Sequence, residues 1–442
     1  MEWPPLPALA PHTSARSRVG ERVSLCRCAS TIPGSVLPWK NVARAGRMEL
    51  GTIGTSRAGK GMELMKTFSV GILGYGAIGK VHAYSYATLP FYYRPPPLRA
   101  RIVAVCTGRR ETAEAARAEL KADEAVLDFR RITENPNIDI VHICTPNHLH
   151  KDAVLSALRH RKHLYCEKPL AATLAEAEEI GAALKGYDGT AQMVFNNRFF
   201  PATMRARQLA AEGFLGQPLT FRAAYLHSGS ADPTTPLKWK LSAAAGGGVL
   251  ADLMSHVFDL VHFLLGDFAA LQAATQIAYP TRPSADDPVR RSSVDAEDAA
   301  YLTARLKNGA LGQLEATKIA TGSEDELRIE AHGSQGALRF NLMDPHRLEI
   351  YDASAPEHPF GGRRGWTRVD AGQRYGPPCD FPSSKATPGW LRGHVGCLAN
   401  FLTCVAEGRP AEPGLEQGIR IQRLIECARN AARAGHWIDV GA

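Results

Sequence analysis

At 442 residues, 45% of them apolar and 22% charged, the chain has room for two packed domains and the composition of a soluble globular protein. No apolar run approaches the ~20 residues that a membrane-spanning helix needs, so no membrane partner is expected. The formal net charge of +8 is local: residues 1–61 hold nine Lys/Arg against three acids, leaving +2 for the remainder, and this argues against a nucleic-acid surface.

Residues 1–65 are rich in Pro, Ser, Arg and Gly and have no sustained period. Three readings compete: a transit peptide, a secretory signal, or an over-extended start with Met62 or Met65 as the true first residue. The first lacks an amphipathic helix and the second an apolar run; the last is favoured because a compact domain begins at Lys66 or just after, so that residues 1–65 are a disordered tail or a mis-assigned start. The nine cysteines are scattered without a C-x-x-C pair. They read as buried free thiols of a cytoplasmic protein.

The first element is a buried strand, Phe68 to Leu73, followed by Gly74-Tyr75-Gly76-Ala77-Ile78-Gly79 and a helix from Ala77 to Leu89. Strand, G-x-G-x-x-G and helix together predict the phosphate turn of a dinucleotide-binding fold. Gly74 permits the tight turn, Gly76 lets the backbone approach a pyrophosphate, and Gly79 lets helix and strand pack closely. The N–H groups of Ala77 and Ile78 open the helix toward an anion. The prolines of segment 90–97 predict a stiff loop, either over the site or simply on the surface. The second strand, Ile102 to Cys106, ends in Thr107-Gly108-Arg109-Arg110, where an acid would bind a ribose 2′-hydroxyl. Thr107, Arg109 and Arg110 suit a 2′-phosphate instead, which tilts the expected cofactor from NAD toward NADP. The arginines could equally sit at a helix start while NAD binds without them.

A helix from Glu111 to Leu120, a strand near Val126 and a strand from Ile140 to Cys144 follow, then a helix and the strand at His163 to Cys166. Alternating strands and helices predict a parallel sheet with right-handed crossovers. Ligands of such sheets bind at the carboxyl ends of the strands. Two polar clusters fall there, Thr145-Pro146-Asn147-His148-Leu149-His150 and Glu167-Lys168-Pro169.

The glycine turn, these two clusters, Phe195-Asn196-Asn197-Arg198-Phe199 and the run Gly246 to Leu265 resemble the glucose–fructose oxidoreductase, inositol dehydrogenase and MocA family, from about residue 68 to the C-terminus. The resemblance implies an N-terminal Rossmann dinucleotide-binding domain (66–190). It also implies a C-terminal α/β domain (191–442) with an open, mostly antiparallel sheet that carries substrate and the contacts of a homodimer or homotetramer. It adds Thr145, Pro146, Asn147, His150, Glu167 and Lys168 to the cofactor site. Two segments depart from the family pattern: the proline loop at 90–97 and a Gly/Pro/Arg-rich insertion between Tyr351 and Trp390.

In the run Val249 to Leu265, Leu250, Leu253, Met254, Val257, Val261 and Leu264 share one helical face, and Asp252, His256 and Asp259 the opposite one. Composition alone reads the second face as a solvated stripe. The resemblance makes Asp252 and His256 catalytic, with Lys168, and leaves the role of Asp259 open between site and structure. Oxidising a secondary alcohol requires hydride loss from carbon and proton loss from oxygen; an imidazole, ordinarily titrating at ~6.5, suits the second task. An ammonium stabilises the developing alkoxide. Seven strands between Leu219 and Tyr351 are expected, as are helices at Val395 to Glu407 and Leu415 to Ala434. Candidate substrate contacts are Asn197, Trp239, Lys240, Arg392 and His394, with Trp390 available to stack on a sugar ring. No metal-ligand spacing occurs.

The expected function is an NAD(P)-dependent oxidoreductase acting on a secondary alcohol or carbonyl of a sugar, polyol or related cyclic substrate. The alternatives are a relative that recycles its NAD while cleaving a glycosidic bond, and a non-catalytic dinucleotide-binding regulator.

Overall fold

The computed structural model describes residues 66–359, 362–372, 374–379, 381–383 and 386–441. The expectation for residues 1–65 lies outside them. Strand β1 (Thr67–Leu73) runs into helix α1 (Ala77–Tyr92), and β2 (Arg99–Cys106), α2 (Arg110–Leu120), β3 (Glu124–Val126), α3 (Arg130–Thr133), β4 (Ile140–Ile143), α4 (His150–Arg159), β5 (His163–Cys166), α5 (Leu174–Ala183) and β6 (Ala191–Met193) follow. The six strands are parallel, in the order β3-β2-β1-β4-β5-β6. That order places a topological switch point between β1 and β4, where ligands of doubly wound sheets bind.

Both faces of this sheet are covered, which explains its near-continuous apolar strands. Leu73, Val141, Ile143 and Leu164 pack with residues of α4 and α5, whereas Val70, Ile72, Ile140 and Tyr165 pack with Val395, Leu398 and Phe401. Those last three belong to a helix near the C-terminus, so a late segment of the chain closes the first sheet.

The second part continues with α6 (Pro201–Ala211), β7 (Pro218–Leu226), α7 (Ser255–Leu265), β8 (Phe268–Gln276), a small hairpin β9 (Thr281–Pro283) and β10 (Arg291–Ser293), β11 (Ala299–Leu306), β12 (Leu311–Thr317), β13 (Glu326–Gly333), β14 (Gly336–Asn341), β15 (Arg347–Asp352), β16 (Trp366–Asp370), α8 (Trp390–Glu407), α9 (Leu415–Ala434) and β17 (Ile438–Asp439). Nine strands form one sheet, β16-β15-β14-β13-β7-β12-β11-β8-β17, antiparallel except where β7 and β12 run parallel. The seven expected strands all occur, within two residues of their expected ends.

One expectation needs correction. Helix α1 continues through Pro90 to Tyr92, because a proline in the last turn forfeits a single N–H and Tyr93 N still bonds Leu89 O at 2.9 Å. The two departing segments also meet. Tyr93 bridges Cys379, Arg94 N donates to Pro378 O at 3.4 Å, and Arg94 lies over the Phe381 ring.

Candidate active site

The carboxyl ends of β1, β4 and β5 carry the residues singled out by the sequence. Gly74 has φ of +88°, and a Cβ there would lie 2.6 Å from Cys144 O; a Cβ on Gly79 would lie 2.3 Å from Gly74 O. Both positions require glycine. A Cβ on Gly76 would meet nothing within 4 Å, so the space beside it is open. No side chain caps α1 and no acid stands in its first turn, which leaves its N-terminus free for an anion.

A glycine turn joins the second part to these strand ends. Gly246 and Gly248 are left-handed, with φ of +73° and +100°, and Asn147 Nδ2 donates to Gly246 O at 2.8 Å. The chain then enters a π-turn, Leu250–Met254, before α7. Such turns inside helices often accompany functional sites. Here Lys168 Nζ donates to Asp252 O at 2.7 Å and to Asp252 Oδ1 at 3.2 Å. The strand-end lysine and the helix acid are thus in direct contact.

Asp252 is the centre of a charge cluster. Lys240 Nζ lies 3.1 Å from both of its carboxylate oxygens, and Lys318 Nζ lies 3.1 Å from Oδ2. Burial alone would raise the Asp252 pKa. The charges of Lys318, Lys168 and Lys240 outweigh that and hold it well below the usual carboxylate range. Asp252 is therefore held in its ionised form. Burial lowers the Lys168 pKa against the pull of Asp252. His256 is pushed well below the ordinary histidine range, first by burial and then by Lys168, so its imidazole is neutral. Its Nδ1 has no partner in the protein. Lys168, Asp252 and His256 line one cavity of about 400 Å³, together with Ile78 of the glycine turn and Glu167, Lys240, Trp390 and His394.

The sequence matches two family profiles: an oxidoreductase-family NAD-binding Rossmann fold over residues 68–195 and the same family's C-terminal alpha/beta domain over residues 207–440. The chain belongs to the Gfo/Idh/MocA oxidoreductase family. Levoglucosan dehydrogenase of Pseudarthrobacter phenanthrenivorans is 33% identical over 391 residues, covering 85% of this chain and 99% of the relative. Inositol 2-dehydrogenase of Rhizobium meliloti is 27% identical, covering 85% and 99%. A solved structure of levoglucosan dehydrogenase in complex with NADH and levoglucosan superposes with a TM-score of 0.79 at 31% identity, covering 85% of this chain and all of that one.

A nicotinamide dinucleotide fits the residues of this Gfo/Idh/MocA chain. Besides the open space at Gly76, Thr145 Oγ1 is buried at the sheet's end with no protein partner. Other expected cofactor residues are engaged in bracing. Both ring nitrogens of His150 face carbonyls, Pro169 O at 2.9 Å and Thr145 O at 2.8 Å. Asn147 holds the second glycine turn, and Pro146 precedes the short turn that opens α4. Glu167 Oε1 lies 3.1 Å from His82 Nε2. Burial raises the Glu167 pKa, but the His82 hydrogen bond and nearby positive charge bring it below its ordinary value. At the end of β2, Thr107 Oγ1 bonds Arg109 O at 3.0 Å, Arg109 is exposed, and Arg110 lies 3.7 Å from Glu114.

Among the expected substrate residues, Lys240 and His394 line the cavity, and neither ring nitrogen of the buried His394 has a protein partner. Asn197 is buried one position away, and its neighbour Asn196 lines the wall instead. Trp239 packs beneath Lys240, 5.8 Å from its ammonium, and is not part of the wall. Arg392 is also elsewhere. Its guanidinium sits among Tyr375 (3.8 Å), Tyr92 (4.3 Å) and Tyr93 (5.4 Å), where the two departing segments meet. Asp259 turns away from the cavity into a bidentate pair with Arg198. The solvated stripe that composition alone suggests does not occur; α7 is buried on nearly every side.

Sequence reasoning missed Lys318, Asp325 and His227, all of which line the cavity. Asp325 accepts from Tyr225 OH at 2.6 Å and lies 2.8 Å from His227 Nε2. They stand in loops at strand ends of the second sheet, with no spacing to single them out. Among the described residues, no group of three or more His, Cys, Asp or Glu is placed to hold a metal, and no helix is long and apolar enough to cross a membrane.

Proposed function

We propose that this protein is a nicotinamide-dependent dehydrogenase or reductase of a secondary alcohol or carbonyl in a sugar, polyol or related cyclic substrate. The observation that carries the reading is the convergence of Lys168, Asp252 and His256 in one cavity bordered by the phosphate turn. The bound cofactor supplies the hydride acceptor or donor. His256, neutral in the cavity, takes the hydroxyl proton on oxidation and returns it on reduction. Lys168 stabilises the negative charge that grows on the same oxygen. Asp252, surrounded by three ammoniums, keeps Lys168 charged and aimed. His394, with two unpartnered ring nitrogens, accepts or donates to further hydroxyls, and Trp390 offers an apolar wall for a sugar ring.

We read the cofactor as NAD(H), against the lean to NADP that the arginines suggest. The levoglucosan dehydrogenase structure carries NADH, and Arg110 is drawn toward Glu114. Dissociation constants for NADH and NADPH, measured side by side, test this choice. The uncovered face of the nine-stranded sheet is read as the contact of a homodimer or homotetramer. It presents exposed Tyr301 and Leu311 beside alternating charges from Arg222 to Arg368.

The decisive experiment follows NADH absorbance during a sugar and polyol screen. Lys168→Met and His256→Ala are expected to lower kcat/KM by about 10²- to 10⁴-fold, with NADH binding to His256→Ala unchanged. Full turnover in either variant overturns the assignment.

A further inference from the structure

Lys318 follows the last residue of β12, and only 7% of it is exposed. Its Nζ lies 3.1 Å from Asp252 Oδ2, yet that contact is an ion pair out of hydrogen-bond alignment, and the ammonium donates to no acceptor in the protein. An ammonium has three N–H donors, and burying them without acceptors is costly. The other anions of the cavity are engaged elsewhere: Asp325 with Tyr225 and His227, and Glu167 with His82. Lys318 itself lines the cavity. Its donors are therefore left for an oxygen brought in by a ligand.

Asp252 fixes where that oxygen lies. Its Oδ1 faces Lys168 and its Oδ2 faces Lys318. Two ammoniums that flank one carboxylate reach neighbouring oxygens of a ligand, not remote ones. The main chain of residue 318 is held at the same place, since Lys318 N donates to Asp298 O at 2.9 Å and Lys318 O accepts from Ser230 N at 2.8 Å.

We propose that Lys318 binds the hydroxyl adjacent to the carbon being oxidised, so that the enzyme selects vicinal diols over isolated secondary alcohols. This rests on the dehydrogenase reading above, in which Lys168 holds the reacting oxygen. A substrate without the second hydroxyl leaves the N–H donors of a buried ammonium without an acceptor, and sites of this kind discriminate strongly against such analogues.

The test compares kcat/KM for a cyclic polyol that the wild-type protein oxidises, with myo-inositol and levoglucosan as first probes, against analogues lacking each neighbouring hydroxyl in turn. For one of the two analogues, the wild-type protein is expected to lose about 100-fold. Lys318→Met is expected to lose a similar factor on the full polyol and then to distinguish polyol from deoxy analogue by roughly threefold or less. A Lys318 that merely steadied Asp252 would slow both substrates alike, so a variant that keeps the wild-type ratio overturns the proposal. So does a wild-type protein indifferent to both deoxygenations, a measurement that needs no variant to fold. Absence of NADH formation with every polyol and analogue would instead overturn the dehydrogenase reading, and this proposal with it.

Discussion

Arg198 and Asp259 form a bidentate ion pair inside the second part of the chain, with Nε to Oδ2 at 2.7 Å and Nη2 to Oδ1 at 2.5 Å. Gln417 of α9 donates to the same Oδ1 at 2.8 Å, and the guanidinium lies 4.7 Å from the Phe263 ring. Asp259 is one turn beyond His256, yet its chemistry is architectural.

Removing one member of a buried pair strands the other's charge. Asp259→Ala is therefore expected to cost about 3–5 kcal/mol of folding free energy, read as a lowered urea midpoint. Asp252→Asn should differ in kind: it faces the cavity, and its main effect is expected in kcat/KM. An Asp259→Ala protein as stable as the parent would show that Arg198 finds another partner.

The pH behaviour follows from which forms are charged. His256 has its pKa pushed well below the ordinary histidine value by burial and by Lys168. The neutral form that accepts a proton thus persists as pH falls through 6.5, and the acid limb of kcat/KM for alcohol oxidation is expected below that value. Stability moves the opposite way. Burial lowers the His394 pKa to about 4 and keeps His142 neutral as well. The unfolded chain takes up protons near 6.5 while the folded one does not, so stability falls as pH drops from 6.5 toward 4. For His394 alone the loss is on the order of 3 kcal/mol. Thermal unfolding scanned across that range checks the sign; a Tm that rises on acidification would contradict the buried neutral imidazoles.

Much of this was legible in the sequence because it depends on local backbone demands. Gly74 and Gly79 are positions where only glycine fits, and Glu167-Lys168 stands where a parallel strand must deliver its ligand contacts. The strands of the second sheet alternate inward and outward residues, as period two requires. What could not be read is whatever depends on pairing across the chain. Lys318 and Asp252 are 66 residues apart and meet only through sheet register and a glycine turn. The sequence neighbours of Arg392 point it at the substrate, but three tyrosines from two distant segments draw it away. The stripe of Asp252, His256 and Asp259 reads as solvated because a helical wheel does not reveal what packs on its polar side.

The uncovered sheet face invites a test of assembly. Cross-strand neighbours Arg222 and Glu330, Glu330 and Arg339, and Arg339 and Glu349 alternate in sign across it. Tyr301 stands 47% exposed on the same face. If copies associate there, Tyr301→Asp buries an unpaired charge at the contact. Sedimentation velocity should then show a shift from dimer or tetramer to monomer, with unfolding temperature little changed for a residue so exposed. An unaltered sedimentation coefficient would place any contact elsewhere.

The cavity wall formed by Gly229, Ser230, Thr235 and Pro236 has no regular structure of its own, so something must hold it. Arg282 does so from β9. Fully buried, it donates to Ser230 O at 2.6 Å and Asp232 O at 2.7 Å, while Tyr279 OH donates to Ala231 O at 2.9 Å. Its guanidinium stacks 5.0 Å from the Tyr279 ring. Three consecutive carbonyls are thereby fixed, and only a planar fork reaches two of them at once. Arg282→Lys keeps the charge but loses the fork. Hydrogen bonds from a charged donor are worth about 1.5–3 kcal/mol. If that energy holds the wall in its substrate-ready shape, KM for the polyol should rise about tenfold with kcat little altered. Tyr279→Phe, which removes one neutral donor, should move KM the same way by roughly a factor of three to five. NADH affinity should stay constant in both, because the clamp touches nothing at the strand ends of the first sheet. A fall in kcat at constant KM would mean that the wall acts on the reacting atoms themselves.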